Sequence, residues 1–354
     1  MNAKTMTEKQ KVKHWIHFDQ TDCVPWQLNY TGDLARRLMG DFHLDEESHT
    51  VLGKNIYRYN RLDSFLGNHI AYVRNRAVNS TTEQTPGVWK DEWGVLWDRR
   101  IDRDIGVPAN CILSSGRMDD LPVPTADDPQ RYAHFQPTIK ANFNRYILAK
   151  FSYNLFERAW ALRGMENLLI DFAKNPSFVH ELMGLICEFN LGVMRRLDRY
   201  AIDGIYFGDD WGSQRALLMS PEMWRVFIRP YLKRMYDQAH AQGYDVFIHS
   251  CGDISVILDD LVDIGLDVFN PFQPEVMDTA ETMERYSGRL AFYGSLSIQK
   301  TLPFGTTADV QREVEERISL ARQFGGLIIS PSHDMPGDIP TENVESMLEA
   351  LREQ

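Results

Sequence analysis

In the second half of the chain, short apolar runs alternate with amphipathic stretches of helical length, and this alternation restricts the fold more than any other feature. The apolar runs are rich in β-branched and aromatic residues, and they occupy 203–207, 245–248, 266–269, 290–293 and 327–329. The helical stretches between and after them occupy 221–242, 254–264, 280–286 and 307–324. Consecutive parallel strands need such a crossover, so the pattern predicts an α/β fold with a parallel sheet.

The first half adds three weaker strand candidates, at 24–30, 70–73 and 145–152, which brings the total to eight. Eight strands can close a (β/α)₈ barrel of the TIM type, whereas an open doubly wound sheet should show a GxGxxG turn that this sequence lacks. Residues 75–140 interrupt the pattern, and the Trp-rich segment VWKDEWGVLWDRRIDRDIG predicts an inserted β-hairpin region after the second strand. No stretch resembles a linker, so we expect one domain over residues 1–354.

The charge balance and the cysteines restrict partners and location. The formal net charge of −12 argues against nucleic acid or an anionic membrane surface as the main partner. The opening residues are polar, and no apolar run approaches the roughly 18 residues of a membrane span, which predicts a cytoplasmic protein. The four cysteines are far apart and form no CxxC pair, so we expect no disulfide framework.

The segment Phe247–Asp253 carries the most specific chemical signal. His249 and Cys251 stand two residues apart at the end of a predicted strand, so their side chains point to the same face. In a parallel barrel the active site is built at that end, and an imidazole with a thiolate suits zinc. His333, just after the last predicted strand, is the candidate third ligand, with Asp334 as its orienting partner. A set of two imidazoles and one thiolate would also accept cobalt or iron.

Three further loops at the same predicted end hold candidate catalytic and substrate-binding groups. The loop GDDWG after the fourth strand offers two carboxylates that can hold a proton, bind substrate or ligate a metal. The catalytic candidates are Asp209 and Asp210, and the substrate-binding candidates are Tyr30, Trp211, Asn270 and Gln273.

Several of these segments, taken together, resemble the uroporphyrinogen decarboxylase superfamily. The resemblance rests on HSCG after a strand and on the segments LFERAWALRG, GDDWGSQ, LMSPEMWRVFIRPYLKRM, FNPFQPEVMD and YGSLSIQKTLPFGT. It is clearest from about residue 145 to the end. It implies a (β/α)₈ barrel and one of two activities, which are decarboxylation of uroporphyrinogen without a metal and zinc-dependent methyl transfer to or from a corrinoid protein.

The sequence departs from the motifs of both the decarboxylases and the methyltransferases, and these departures favour methyl transfer. The decarboxylases carry an arginine-rich loop after the first strand, whereas here residues 27–33 contain no arginine and the next one is Arg36. The methyltransferases carry a cysteine as third ligand in an SPxC-like segment, whereas this chain reads Ser330-Pro331-Ser332-His333. Two imidazoles and one thiolate leave zinc with a net charge near +1, which favours an alcohol, phenol or methoxyl oxygen over a thiolate.

The resemblance therefore implies a zinc-dependent methyltransferase that acts on a small oxygen- or sulfur-containing molecule. The corrinoid would be carried by a separate protein, because the cobalamin-binding motif DxHxxG does not occur in the chain. Two alternatives stay open at this point, a decarboxylase of the porphyrin type and a barrel that binds a small ligand without catalysis.

Overall fold

The structure is a computed structural model that describes residues 6–45, 49–51, 54–57, 60–75, 81–101, 106–119 and 121–354. Its strands, in chain order, are β1 (His49–Val51), β2 (Lys54–Tyr57), β3 (Ile70–Arg74), β4 (Thr82–Thr85), β5 (Val88–Lys90), β6 (Leu96–Asp98), β7 (Val107–Pro108), β8 (Tyr146–Phe151), β9 (Gly204–Gly208), β10 (Asp245–His249), β11 (Val268–Phe272), β12 (Ala291–Leu296) and β13 (Leu327–Pro331).

The helices flank these strands and follow most of the long ones. They are α1 (Glu8–Ile16), α2 (Gly32–Asp41), α3 (Asn60–Phe65), α4 (Phe135–Ala141), α5 (Phe156–Arg163), α6 (Met165–Lys174), α7 (Pro176–Met194), α8 (Pro221–Phe227), α9 (Arg229–Ala241), α10 (Leu258–Asp263), α11 (Thr279–Tyr286), α12 (Thr301–Phe304), α13 (Thr307–Phe324) and α14 (Thr341–Arg352). Short 3₁₀ helices lie at Pro129–Arg131, Leu197–Arg199 and Ser255–Ile257. None of the helices in the described part of the chain is both long and apolar enough to cross a membrane.

A parallel sheet forms the centre of the fold. Within the described residues it has seven strands in the order β13-β12-β11-β10-β9-β8-β3. Strands of this sheet that follow one another along the chain are therefore also neighbours in space. Every strand carries its polar loop at the same end, because the crossovers return the chain to the opposite end. The α/β class and seven of the eight predicted strands are confirmed.

The remaining predicted strand, residues 24–30, is an extended segment that lies between the two outer strands of the sheet. The backbone N–H of Gln27 donates to the carbonyl oxygen of Ile329 in β13 at 3.0 Å, and the N–H of Ile329 donates to that of Pro25 at 2.9 Å. On the other side, the N–H of His69, just before β3, donates to the carbonyl of Trp26 at 3.2 Å. Pro25 has no N–H to donate, which helps to explain why the ladder is not regular here.

Two hydrophobic cores lie on the two faces of the sheet. The smaller one joins side chains from alternate strand positions, such as Tyr146, Tyr206 and Phe247, with Val12 and Ile16 of α1. The larger one lies between the sheet and the surrounding helices. Because the strands are buried on both faces, their sequences read as continuous apolar runs.

The predicted helix over 221–242 is divided in two. Ser220 caps α8 by accepting a hydrogen bond from the N–H of Met223, as its position before Pro221 predicts. Pro230 has no N–H to continue the α8 ladder, and α9 begins with this proline in its first turn. The chain leaves α9 through Gly243, whose φ of 78° is in the left-handed region expected after a helix.

The segment inserted between β3 and β8 forms a four-stranded antiparallel sheet, β4-β5-β6-β7. Asp91 anchors it, because its carboxylate accepts the N–H groups of Trp93 and Val95 and the indole N–H of Trp97. The same carboxylate pairs with Arg158 of α5 at 2.6 Å, and both side chains are buried. The insertion is thereby held against the helix that follows β8; residues 76–80, 102–105 and 120 of the predicted insertion lie outside the described residues.

Candidate metal centre

The candidate centre is built where β10 and β11 end. His249 is the last residue of β10 and is opposite Asn270 of β11 in the strand register. The chain then turns at Gly252, whose φ is 83° and where a Cβ atom would approach the carbonyl oxygen of Ser213 to 2.4 Å. Only glycine fits such a turn without strain, so the HSCG sequence holds Cys251 close to the end of the strand.

The hydrogen bonds around His249 orient its ring. The side-chain N–H₂ of Asn270 donates to the backbone carbonyl of Tyr293 at 2.8 Å, which directs Asn270 Oδ1 towards His249 and Tyr206. Asn270 Oδ1 lies 2.5 Å from both His249 Nδ1 and the Tyr206 hydroxyl. Because an amide oxygen only accepts, this network assigns the ring proton to Nδ1 and leaves the lone pair on Nε2.

The lone pair of His249 Nε2 faces the other candidate ligands. Cys251 Sγ lies 3.3 Å from it, close to the roughly 3.5 Å that separates two tetrahedral zinc ligands with bonds of about 2.0–2.3 Å. Ligand atoms of His249, Cys251 and His333 all lie within 4.8 Å of one another, and the His249 and His333 rings are 5.5 Å apart between centroids. The residues therefore fit a small tetrahedral metal ion with one position left for substrate.

The electrostatic environment of the two half-buried ligands, His249 and Cys251, also suits a cation. Burial lowers the pKa of His249, which keeps the imidazole neutral as a metal ligand must be. Burial, together with the carboxylates of Asp210 and Glu157, raises the pKa of the Cys251 thiol. A thiolate at this position therefore needs a nearby positive charge, which a bound metal ion supplies.

The two adjacent aspartates of the GDDWG loop have different environments. Asp209 is fully buried, and its carboxylate accepts the N–H groups of Leu155, Phe156 and Glu157 at the start of α5. It also accepts the indole N–H of Trp211 at 2.7 Å, and burial raises its pKa to about 6. These contacts give Asp209 a positioning role at the N-terminus of α5, and its predicted catalytic role stays a prediction.

Asp210 faces the candidate ligands instead. Its Oδ1 accepts the backbone N–H of Cys251 at 2.8 Å and lies 3.9 Å from His249 Nε2. Its side chain is 37% exposed, so a substrate can reach it. Of the two predicted catalytic carboxylates, only this one is placed beside the candidate centre.

The four predicted substrate contacts lie in different surroundings, and their part in substrate binding stays a prediction. Trp211 is fully buried against Trp224, which argues against a contact with substrate. Asn270 is buried and holds His249, as described above. The Tyr30 hydroxyl donates to Asp63 of α3 at 2.7 Å, and Gln273 is 6% exposed with its amide 3.5 Å from Gln214.

His333 and Asp334 are both exposed at the end of β13. No hydrogen bond joins their side chains in the described part of the chain, so the predicted orienting role of Asp334 is not seen. The ring of His333 is thus held less firmly than that of His249.

Three residues near the centre were missed by reasoning from the sequence. Tyr206 supports the network around His249, and Glu157 is a carboxyl group whose pKa burial raises well above its usual range. Lys150 lies in β8, and its ammonium group packs 5.2 Å from the centre of the Tyr206 ring. The signal for Lys150 was available, since a charged residue inside the apolar run YILAKF is unusual.

Comparison with known proteins now identifies the family. The model of the uroporphyrinogen decarboxylase (URO-D) family matches residues 156–354, which is 199 of the 354 residues, and the chain belongs to this family. The match contains the GDDWG loop, the HSCG turn and His333. No curated protein sequence matches the chain.

A methyltransferase of known structure has the same fold. A methyltransferase from Methanosarcina mazei is 16% identical over 99% of this chain and 99% of its own, with a TM-score of 0.68. A rutinosidase from Aspergillus niger is 11% identical over 96% of this chain and 98% of its own, with a TM-score of 0.47. At 16% identity, the similarity to the methyltransferase describes the fold and not the reaction.

Proposed function

We propose that this protein is a zinc-dependent methyltransferase of the URO-D family. It would move a methyl group between a small oxygen- or sulfur-containing molecule and a corrinoid carried by a separate protein. The observation that carries this proposal is the convergence of His249, Cys251 and His333, whose ligand atoms lie within 4.8 Å of one another. We also infer that the seven strands and residues 24–30 close a (β/α)₈ barrel in a single domain, with the centre at its mouth.

The ligand types support an oxygen-containing substrate. One thiolate and two neutral imidazoles would leave zinc with a net charge near +1, whereas a second thiolate would neutralise it. The more positive ion binds hard oxygen donors better, so we infer an alcohol, phenol or methoxyl oxygen as the reacting group. His333 is thus the residue on which the substrate class depends.

The chemistry divides between the metal and the surrounding residues. When bound, zinc supplies a Lewis acid that polarises the bond between the heteroatom and the methyl carbon. Asn270 fixes the orientation and tautomer of His249, and Asp210 is close enough to hold a proton for the heteroatom that loses its methyl group. The heteroatom would keep the electron pair of the bond to the methyl carbon, and a reduced corrinoid of the separate protein would supply the electron pair that accepts the methyl group.

Two observations support the methyltransferase over the decarboxylase. Arg36, the first arginine after residues 27–33, forms an ion pair with Asp33 of the same helix, and both side chains are exposed. His333 is exposed at the mouth, so a corrinoid domain docked there would reach the reacting group. The full-length similarity in fold to the Methanosarcina mazei methyltransferase agrees with this choice.

A methyl-transfer assay tests the proposal. The zinc-loaded protein is mixed with a panel of methyl ethers, methanol and methyl thioethers, with free reduced cobalamin as acceptor, and the absorbance change to methylcobalamin is followed. We expect transfer from at least one oxygen compound, and its loss in Cys251→Ala and after removal of zinc.

The control is His43→Ala, which changes an exposed histidine of the surface and should behave as the wild type. Loss of carbon dioxide from a carboxylated substrate without any corrinoid would contradict the proposal and favour a decarboxylase. Methyl transfer that is equal in wild type and Cys251→Ala would also contradict it.

A further inference from the structure

A cavity of about 200 Å³ lies between the ends of β3 and β8 and the inserted sheet. Aromatic side chains of the insertion and of the loop after β8, among them Trp93, Trp97 and Tyr153, form part of its wall. Arg74 and Lys150 also line it. This volume is enough for a substrate of about the size of a substituted benzene ring.

The pairing of β3 with β8 makes the two cations neighbours. Arg74 of β3 and Lys150 of β8 are directly opposite in the parallel register, so both side chains leave the sheet on the same face. That face also carries Tyr72 and Tyr206, and the Lys150 ammonium lies 5.8 Å and 5.2 Å from the centres of their rings. Lys150 is therefore fixed in position by two aromatic rings.

Neither cation of this pair forms an ion pair with an acid among the described residues. Asp91 and Glu92 line the same cavity, but they pair with Arg158 and Arg131, respectively. Within the residues that the structure describes, no carboxylate oxygen lies within 4.0 Å of Lys150 Nζ, and this ammonium donates no hydrogen bond. A partly buried ammonium group that donates no hydrogen bond to the protein is available to an anionic group of a ligand.

Tyr206 connects the cationic pair to the candidate metal ligands. The Lys150 ammonium lies 5.2 Å from the centre of the Tyr206 ring, and that ring lies 6.0 Å from the centre of the His249 ring. The distance from the Lys150 ammonium to the centre of the His249 ring is therefore at most the sum of these two distances. A substrate held at Lys150 would have to extend past the Tyr206 ring to reach the candidate metal ligands.

We propose that Lys150 and Arg74 bind a carboxylate of the substrate, so that the protein acts on small carboxylic acids that also carry the reacting oxygen. The planar aromatic walls of the cavity favour an aromatic acid. This inference deepens the proposed function and rests on it for the position of the reacting atom. The binding of the carboxylate itself does not depend on the metal.

Other groups around Lys150 agree with this role. The carboxylates of Asp334, Glu157 and Asp210 are near enough to favour the charged ammonium, whereas burial and Arg74 lower the pKa of Lys150 to about 8. The ammonium is therefore still charged at neutral pH. A carboxylate placed between Lys150 and Arg74 would satisfy both cations at once.

A binding experiment separates charge recognition from metal binding. The probes are 4-methoxybenzoate and its uncharged analogue 4-methoxybenzamide, titrated calorimetrically into the zinc-loaded wild type, Lys150→Met, Lys150→Arg and Arg74→Met. We expect the wild type to bind the acid about tenfold or more tightly than the amide. Lys150→Met should lose this preference, Lys150→Arg should keep most of it, and Arg74→Met should weaken it.

Lys140→Met is the matched control, because it removes an exposed lysine of α4 and should leave the preference unchanged. Lys150→Met should also be at least as stable as the wild type to heat, since methionine does not need an acceptor. The metal-poor variant His333→Ala should still prefer the acid. Binding of the carboxylate can therefore be judged even if the zinc proposal fails. Equal affinity for acid and amide, absence of binding by both, or an equal loss in Lys140→Met would overturn the inference.

Discussion

The two adjacent aspartates of the GDDWG loop provide a matched pair of substitutions. Asp209→Asn keeps the shape of the side chain but turns one of its two oxygens into an N–H₂ donor. In the structure one oxygen accepts the N–H groups of Leu155 and Glu157, and the other accepts those of Phe156 and the Trp211 indole. In either orientation of the new amide, its N–H₂ group therefore faces two N–H groups that need an acceptor.

The expected cost follows from these contacts. Asp209 is 0% exposed, so water cannot replace the two hydrogen bonds that are lost. Each unsatisfied buried group costs about 1–3 kcal/mol, which gives a loss of about 2–6 kcal/mol in the free energy of unfolding. Asp210→Asn retains an oxygen that can accept the Cys251 N–H, and its side chain is 37% exposed, so we expect a change of about 0.5 kcal/mol or less.

The assay is urea unfolding followed by tryptophan fluorescence and circular dichroism, with a chelator present so that bound metal does not contribute to stability. We expect Asp209→Asn to be strongly destabilised, and Asp210→Asn to be stable but slow in methyl transfer. If Asp209→Asn kept the stability of the wild type and lost activity, the positioning role would be refuted and the catalytic role restored.

Three further predictions concern the support of the centre and the stability of the fold. Asn270→Ala should weaken zinc binding about 10–100-fold, because His249 loses the acceptor of its Nδ1 proton; competition with a chromophoric chelator measures this, and unchanged affinity would contradict it. Burial lowers the pKa of His69 to about 3, so between pH 6.5 and 3 the unfolded chain binds a proton that the folded chain does not. His69 alone should therefore lower the free energy of unfolding by about 1.4 kcal/mol for each pH unit below 6.5, and His69→Gln should remove this contribution from the slope measured by urea unfolding at pH 5 and 7.5. Arg158→Met leaves the buried carboxylate of Asp91 unpaired and should cost about 3–5 kcal/mol in the same unfolding assay, whereas a loss below 1 kcal/mol would show that the ion pair does not anchor the insertion.

Much of the fold was predictable because parallel strands buried on both faces leave continuous apolar runs in the sequence. The exceptions have local causes. β11 was predicted over 266–269 but runs from Val268 to Phe272, because Asn270 and Pro271 look like a loop and are in fact within the strand. Residues 24–30 were predicted as a strand, and they are extended but held by isolated bridges.

The parts of the candidate centre that depend on spacing in the sequence were predictable. The parts that depend on tertiary contacts were not. His249 and Cys251 are two residues apart after a strand, which is enough to place them together. Which of two adjacent aspartates faces the centre depends on the position of α5, and the sequence does not specify that position. Lys150 belongs to the centre only because β8 places it beside Tyr206, a contact between residues far apart in sequence.

Metal content tests the central claim most directly. The wild type, His333→Ala and the surface control His43→Ala are purified without a metal-binding tag, offered zinc, desalted and analysed by plasma mass spectrometry. The account predicts close to one zinc per chain in the wild type and in His43→Ala, and much less in His333→Ala. A wild type that remains free of metal after zinc is offered would contradict it.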